Sequence, residues 1–305
     1  MRLAATISVV IVMVAVGVAA APPSDPGTGY RLDWEQSSDR TLPGAAPPGW
    51  RREYLLNPPH ADGEPSARPA RRAAGEPVRD GNYSARFDLR VNDPVVPNTG
   101  TSGKRAELAA TPVEPRRVER WYGFSVYLKD WTHDTRAAEI VAQWHQTGGE
   151  CSQGCSPPLS LQTDNRHWVI SQNWQKRRSS PQYQFCRTRV GLYQINRWTD
   201  WVFHVEWSTG TSGKLEVWRD GRRLQGLGPI NGRTDDFGDG VHGNYMKIGI
   251  YKWKWAQQPP QSDVSKRVLF HDALRIAGQA GSLAGVAPRP VRSGSPVQVD
   301  PRTCH

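Results

Sequence analysis

The chain has 305 residues, with 39 Lys+Arg against 29 Asp+Glu and a formal net charge of +10. Its 25 Pro and 29 Gly make up under a fifth of the residues, below the ~25–30% of a low-complexity chain, which excludes a disordered polymer or a collagen. The cationic excess points to a polyanionic partner, whether nucleic acid, membrane surface or acidic glycan. The 13 Trp outnumber the 9 Tyr and the 6 Phe, and such flat rings suit a carbohydrate groove and a β-sandwich core equally.

Taken in chain order, Met1-Arg2 is a short positive start. An apolar run from Leu3 to Ala21 follows, ending in Ala19-Ala20-Ala21 before Pro22-Pro23. Charge, apolar core and small residues in that order predict a secretory signal over residues 1–21, rather than a retained anchor. No later segment approaches the ~18 apolar residues of a membrane span, so the exported chain is expected to be soluble. Export makes the four cysteines readable as disulfides. Cys151, Cys155, Cys186 and Cys304 allow three pairings, and spacing does not choose among them. A zinc site lacks a second well-spaced Cys or His pair.

Residues 22–80 are rich in Pro, Gly, Ala and Arg, with Tyr30–Trp34 as one candidate strand. From Tyr83 the texture changes. Tyr83–Leu89, Lys104–Ala109, Trp121–Leu128, Ile140–His145, Leu159–Leu161, Trp168–Ile170, Trp198–Trp207, Leu215–Trp218, Tyr245–Trp253 and Val268–Ile276 are short β-branched and aromatic runs. Asp220-Gly221 after Trp218 is a two-residue hairpin signal. Such a series predicts an all-β, two-sheet antiparallel β-sandwich. After Gly278 the Gly/Ser/Pro/Arg-rich residues read as a flexible tail. The expected organisation is therefore signal 1–21, one β domain over 22–277, and a tail over 278–305.

Three of these strands carry polar groups on one face. In a strand, residues i and i+2 share a side. Arg105 and Glu107 share one, Gln143 and His145 another, and Tyr245, Lys247, Gly249 and Tyr251 a third. The opposite faces, Ala106/Leu108, Ala142/Trp144 and Met246/Ile248/Ile250, are apolar. Glu107 is expected to orient Arg105. Gly249 in mid-strand marks close approach of a ligand or of backbone. Each pattern alone also describes a solvated outer face.

Together, Arg105-Ala-Glu-Leu108, Gln143-Trp-His145 and Tyr245-Met-Lys-Ile-Gly-Ile-Tyr251 resemble, in order, the three signature motifs of the β-jelly-roll polysaccharide lyases, as in the alginate lyases. Arg120–Leu128, Trp198–Trp207 and Leu215–Gly221 bring the wording closer to the heparin lyase I-like and glucuronan lyase group. The resemblance spans about residues 30–277. It implies a concanavalin-like jelly roll that cleaves a uronic-acid polymer by β-elimination, with no required cofactor. It assigns His145 and Tyr251 as the proton-handling pair. It assigns Arg105, Gln143, Lys247 and Tyr245 to holding the uronate. His145 is a natural base near neutral pH. Tyr251 supplies the acid or, on the other C5 epimer, does both jobs. The chain departs from the alginate-lyase wording at Trp144, Met246 and Ile248, all on the core-facing side.

The expected partner is an acidic polysaccharide, met by a secreted monomer. Nucleic-acid binding fits the charge but neither export nor the lack of a recognisable motif. A glycan-binding module on the same fold is the alternative; it needs no converging His and Tyr. A hydrolase would want paired carboxylates, whereas Glu206 and Glu216 fall on different strands. Asp235, Asp236 and Asp239 could hold a structural calcium, although their spacing is not that of an EF-hand and suits a solvated loop better. Trp174 with Lys176, Arg177 and Arg178 could contact an anionic chain or form a solvated basic loop.

Overall fold

The computed structural model describes residues 30–36, 46–53, 60–95, 103–111, 114, 118–146, 156–175, 183–208, 212–228, 243–291 and 294–304. The expected signal at 1–21, Cys151, Cys155, the Asp235–Asp239 loop and Lys176–Arg178 lie outside these residues.

The regular structure of the described residues is almost entirely β. Its strands are β1 (Tyr30–Leu32), β2 (Trp50–Glu53), β3 (Ala67–Arg71), β4 (Tyr83–Arg90), β5 (Lys104–Ala110), β6 (Glu119–Lys129), β7 (Glu139–Gln146), β8 (Leu159–Asp164) and β9 (His167–Gln175). They continue as β10 (Tyr183–Leu192), β11 (Trp198–Glu206), β12 (Lys214–Arg219), β13 (Arg222–Gln225), β14 (Asn244–Lys252), β15 (Lys266–Ala277), β16 (Val297–Gln298) and β17 (Thr303–Cys304), with one short α-helix among the described residues, α1 (Leu283–Val286).

Two sheets result. The first runs β16-β13-β12-β11-β6-β15-β4-β3, and β1 pairs with β15 beyond the end of β4. The second runs β17-β10-β9-β8-β7-β14-β5-β2 and is antiparallel throughout. This is the expected β-sandwich. The expected hairpin also forms: Asp220 and Gly221 both take positive φ (51° and 78°) between β12 and β13, as a type I′ turn requires. Strand β3 was illegible because Pro69 interrupts it. The residue is tolerated since β3 is the outermost strand of its sheet.

The apolar faces meet between the sheets. Trp34, Trp131, Trp144, Trp168, Trp201 and Trp255 are fully buried there, and Trp50 and Trp207 join them. The excess of Trp therefore serves the core first. Trp144 leaves the second sheet to pack on Phe203 at 4.8 Å and Tyr122 at 5.2 Å, both from the first. Burying such a side chain contributes about 4–6 kcal/mol as an upper estimate. Met246 and Ile248 are core residues too. The three departures from the alginate-lyase wording thus repack the interior without touching the polar face.

Residues 278–304 are not a free tail. Leu283, Val286 and Ala287 pack on Val202, Trp121 and Trp218. Gly123 is required beneath them, since a Cβ there would meet the Val286 carbonyl at 1.9 Å. Strand β16 then pairs in parallel with β13, and β17 pairs with β10, where Cys186 and Cys304 form a disulfide. The segment thus caps one edge of each sheet. Its apolar anchors are too short and too scattered among Gly, Pro and Arg to show periodicity.

Candidate active site

The polar face of the second sheet is built by four of its eight strands, β2, β5, β14 and β7. Register sets the stations. Tyr245 lies opposite His145 and Lys247 opposite Gln143 across β14 and β7. Gly249 lies opposite Glu107 and Tyr251 opposite Arg105 across β14 and β5. Glu53 on β2 is paired with Glu107. All six residues expected at the site, Arg105, Gln143, His145, Tyr245, Lys247 and Tyr251, therefore stand on one face.

Two bulges make this possible. Between Ile248 and Tyr251 strand β14 gains a residue on β7, and between Ile140 and Ala142 strand β7 gains one on β8. The close approach foreseen at Gly249 is to backbone. Its φ is +129°, and a Cβ would lie 2.2 Å from the Ala106 carbonyl. The bulged residue of β7 is Val141. Its carbonyl is taken by the Nε2–H of His271, which reaches across from β15 of the other sheet at 2.9 Å. Burial holds the His271 ring down at about 4 and hence neutral. A core histidine thereby fixes the strand that carries Gln143 and His145.

Charged groups in the middle of the face are buried and partnered. Gln143 Nε2 donates to Glu107 Oε1 at 2.5 Å. Arg105 Nη1 stands 3.6 Å from Glu107 Oε2, so Glu107 pairs with Arg105 as expected but makes its hydrogen bond to Gln143. Glu107 is 1% exposed and Gln143 0%. Burial pushes the Glu107 carboxyl up despite Lys247 and Arg105. Lys247 does not stand free for a ligand, because its Nζ is bonded to Glu53. Burial pushes Glu53 up, but Lys247 outweighs it and holds the carboxyl below its usual range.

The two expected proton-handling residues, His145 and Tyr251, stand toward opposite ends of the face. The His145 Nδ1 lies 2.9 Å from the Gln146 carbonyl. That contact selects the Nδ1–H tautomer and leaves the lone pair on Nε2. Burial, then Lys247 and Arg105, push His145 down to about 3. The ring is therefore neutral at every working pH, not half-titrated near neutrality. Its ring neighbour is Tyr245, at 5.8 Å between centroids, and Arg51 lies 4.8 Å over the same Tyr245 ring. Tyr251 occupies the other end. The Arg105 guanidinium stacks on its ring at 3.8 Å and Trp253 flanks it at 5.7 Å. Gly103 leaves room for it: a Cβ there would be 2.3 Å from Tyr251 Cε2. Tyr251 lies six positions along β14 from the partner of His145, roughly 20 Å of strand less the bulge. Among the described residues His145 and Tyr251 share no hydrogen bond or ring contact.

Behind the face, Lys252 is fully buried between Asp134 and Glu139, each at 2.7 Å, and Arg267 closes on Glu139 at 2.7 Å. This network anchors β14 immediately after Tyr251. Sequence reasoning passed over Arg51, Glu53 and Gly103. The signal for the first two was present, since Arg51-x-Glu53 repeats the Arg105-x-Glu107 pattern. It sat in a stretch too rich in Pro and Gly to read as a strand.

Other expectations resolve elsewhere. Glu206 pairs with Lys214, while Glu216 meets His204 and Arg223. Both carboxylates belong to the first sheet, away from this face. Among the described residues no cluster of His, Cys, Asp and Glu is suited to a metal ion. No described helix is long and apolar enough to cross a membrane.

Comparison with known proteins agrees with this architecture. No curated protein matches the chain. Among solved structures, the endo-β-1,4-glucuronan lyase of the fungus Trichoderma reesei superposes with a TM-score of 0.62 at 14% identity, covering 85% of this chain and 98% of that one. The alginate lyase A1-II′ of polysaccharide lyase family 7 superposes at 0.47 and 15% identity, over 75% and 94%. A GH131 β-glucanase catalytic domain from Podospora anserina gives 0.46 at 13% identity, over 79% and 88%. The first likeness establishes a shared fold. The model of the polysaccharide lyase family matches residues 60–275, more than two thirds of the chain, and the chain belongs to that family.

Proposed function

We propose that this lyase is secreted and cleaves a uronic-acid polysaccharide by β-elimination. The observation that carries the reading is that Arg105, Gln143 and Lys247 share one sheet face with His145, Tyr245 and Tyr251, His145 and Tyr245 toward one end and Tyr251 toward the other. The C5 proton of a uronate is weakly acidic because the adjacent carboxylate is already charged. Hydrogen-bond donors and cations at that carboxylate stabilise the enolate-like anion that develops. Arg105 and Gln143 supply such groups, with Lys247 beside them. A base then takes the C5 proton and an acid protonates the departing O4. Neutral His145, with its Nε2 lone pair, and Tyr251 fill these roles. The leader-like residues 1–21 and the Cys186–Cys304 disulfide support export.

The contact between His145 and Tyr245 favours a second assignment, in which Tyr245 is the phenol working with His145. Phenylalanine variants separate the two. Tyr251→Phe is expected to keep the fold and lose most turnover, and Tyr245→Phe to raise KM with kcat retained; the opposite pattern transfers the role to Tyr245.

The reaction itself is tested by incubating the purified protein with β-1,4-glucuronan, alginate and heparin-like glycosaminoglycans. Ultraviolet absorbance of the unsaturated uronate is followed. A rise with one polymer is expected. Retention on a polymer in an affinity gel, without any rise, would establish a binding module instead.

A further inference from the structure

Charge balance across the site carries one further step, which rests on the lyase reading above. The buried cations Arg105 and Lys247 are each matched by a carboxylate, Glu107 and Glu53. His145 is held neutral. The buried cluster is thus already electrically closed before any ligand arrives. A uronate entering it adds one negative charge in a place where unbalanced charge is costly.

Glu107 is the group placed to absorb it. Its charged and polar neighbours are Arg105 on its own strand, Lys247 on β14, Gln143 on β7 and Glu53 on β2. One of its oxygens accepts from Gln143. The other, Oε2, is buried with no hydrogen-bond partner, the Arg105 guanidinium standing 3.6 Å away. Glu53 is tied to Lys247 and to the half-exposed Arg51 at 3.3 Å, and so stays ionised.

We propose that Glu107 takes up a proton when a uronate binds and, as a neutral carboxyl, donates a hydrogen bond from Oε2 to the sugar carboxylate. The proton comes from solvent, forms an O–H bond on Glu107, breaks no bond in the sugar, and returns to solvent when product leaves. It is not the C5 proton. The carboxyl then acts on the anion that builds up during elimination, in the manner of other acids kept neutral by an apolar site. Arg105 is thereby released from Glu107 to face the substrate.

The test counts protons. Tyr251→Phe enzyme, arrested in turnover, is titrated calorimetrically with a β-1,4-glucuronate tetrasaccharide, or with the alginate tetrasaccharide if alginate is the polymer cut. Buffers of different ionisation heat at about pH 7 give the uptake, expected to approach one proton per ligand. Adding Glu107→Gln, which keeps a donor but cannot titrate, is expected to abolish uptake while binding persists. In the Tyr251-intact enzyme, KM is expected to rise toward tenfold per pH unit on the alkaline side, and to be flat with Glu107→Gln. Binding heat without proton uptake overturns the proposal and leaves the lyase reading standing. Uptake that survives Glu107→Gln moves the proton to another group, His145 foremost, and also overturns it. Absence of both binding and unsaturated product removes the lyase reading underneath.

Discussion

Gly103 offers the sharpest test of the site, because one added methyl group would strike one side chain. A Cβ at residue 103 lies 2.3 Å from Tyr251 Cε2 and 2.9 Å from its hydroxyl. Ordinary van der Waals contact begins at 3.4 Å, so the ring must move by about 1.1 Å. It cannot swing through the Arg105 guanidinium, stacked on it at 3.8 Å. Misplacing a reacting group by about 1 Å costs on the order of 100-fold in rate. Gly103→Ala is thus expected to lower kcat about 100-fold with little change in KM. The added methyl has no backbone to collide with, so a melting temperature within a few degrees of the parent is expected, the overpacking cost of about 1–3 kcal/mol being relieved by the ring shift. The assay is the initial rate of unsaturated-uronate absorbance beside a circular dichroism melt. A double-mutant cycle isolates the cause. In a Tyr251→Phe background, already deprived of the hydroxyl, Gly103→Ala should cost almost nothing more. Full activity of Gly103→Ala, or equal losses in both backgrounds, would refute the argument that Tyr251 acts from this position.

Gly249→Ala meets a harder wall: the Ala106 carbonyl at 2.2 Å and a φ of +129°. Left-handed strain and overpacking together predict a loss of about 2–5 kcal/mol, read as a lower urea midpoint; an unchanged midpoint contradicts the close approach. Cys186 and Cys304 close a separation of 118 residues, for which chain entropy gives about 4–5 kcal/mol. Cys304→Ser, or reduction of that bridge, is expected to lower the melting temperature by about 10 °C. It should spare the rate at low temperature, since β10 and β17 lie at the far edge from Tyr251; loss of rate without loss of stability would contradict that separation. For His145, burial and the neighbouring Lys247 and Arg105 hold the folded ring down at about 3, below the ordinary imidazole value of 6.5. The sign is therefore that of a ring kept neutral: its contribution to stability is complete above pH 6.5 and is lost as pH falls from there toward 3. Accordingly, kcat/KM should show no acid limb near 6.5. A limb there that disappears in His145→Gln would mean that the ring is solvated in the free enzyme.

Most of the architecture was legible because the strands of a sandwich alternate. Trp121–Leu128 and Lys104–Ala109 each have an apolar face that meets the core through Tyr122, Phe124, Val126 and Leu128 and through Ala106 and Leu108, although the opposite face is largely buried as well, Arg105 and Glu107 included. The site was legible for the same reason inverted: Arg105, Gln143 and Lys247 break the expectation of apolar or freely solvated residues on neighbouring strands. Three things escaped. The partner carboxylate Glu53 belongs to a four-residue strand among prolines and glycines, where periodicity has no room to show. The two bulges are register events, and register is a property of two strands at once. His271 reads as one more residue of an alternating strand, and nothing local in it announces that its partner is Val141 across the core. The segment after Gly278 was misjudged because composition reports average polarity, whereas docking needed only Leu283, Val286, Ala287 and a disulfide.

The enzyme's overall positive charge and its buried cluster answer different problems. A net charge of +10 would draw the proposed polyanionic substrate in from a distance, and salt would weaken that attraction. On the buried polar face the same logic would fail, for a buried Arg105 or Lys247 left unpaired would cost several kcal/mol of stability. Each therefore carries a carboxylate while the site is empty. If the substrate is the proposed uronate, its carboxylate competes with Glu53 and Glu107 for cations they already hold, so that binding would be an exchange of partners rather than the filling of a vacancy. An exchange discriminates by geometry. Only an anion that can reach Arg105 and Gln143 together, and leave Glu107 a neutral or relocated partner, recovers what it displaces. A sulfate or phosphate held at the rim gains the long-range attraction alone. On the proposed reading, recognition of a uronate would depend on the two acidic residues of the site as much as on its basic ones.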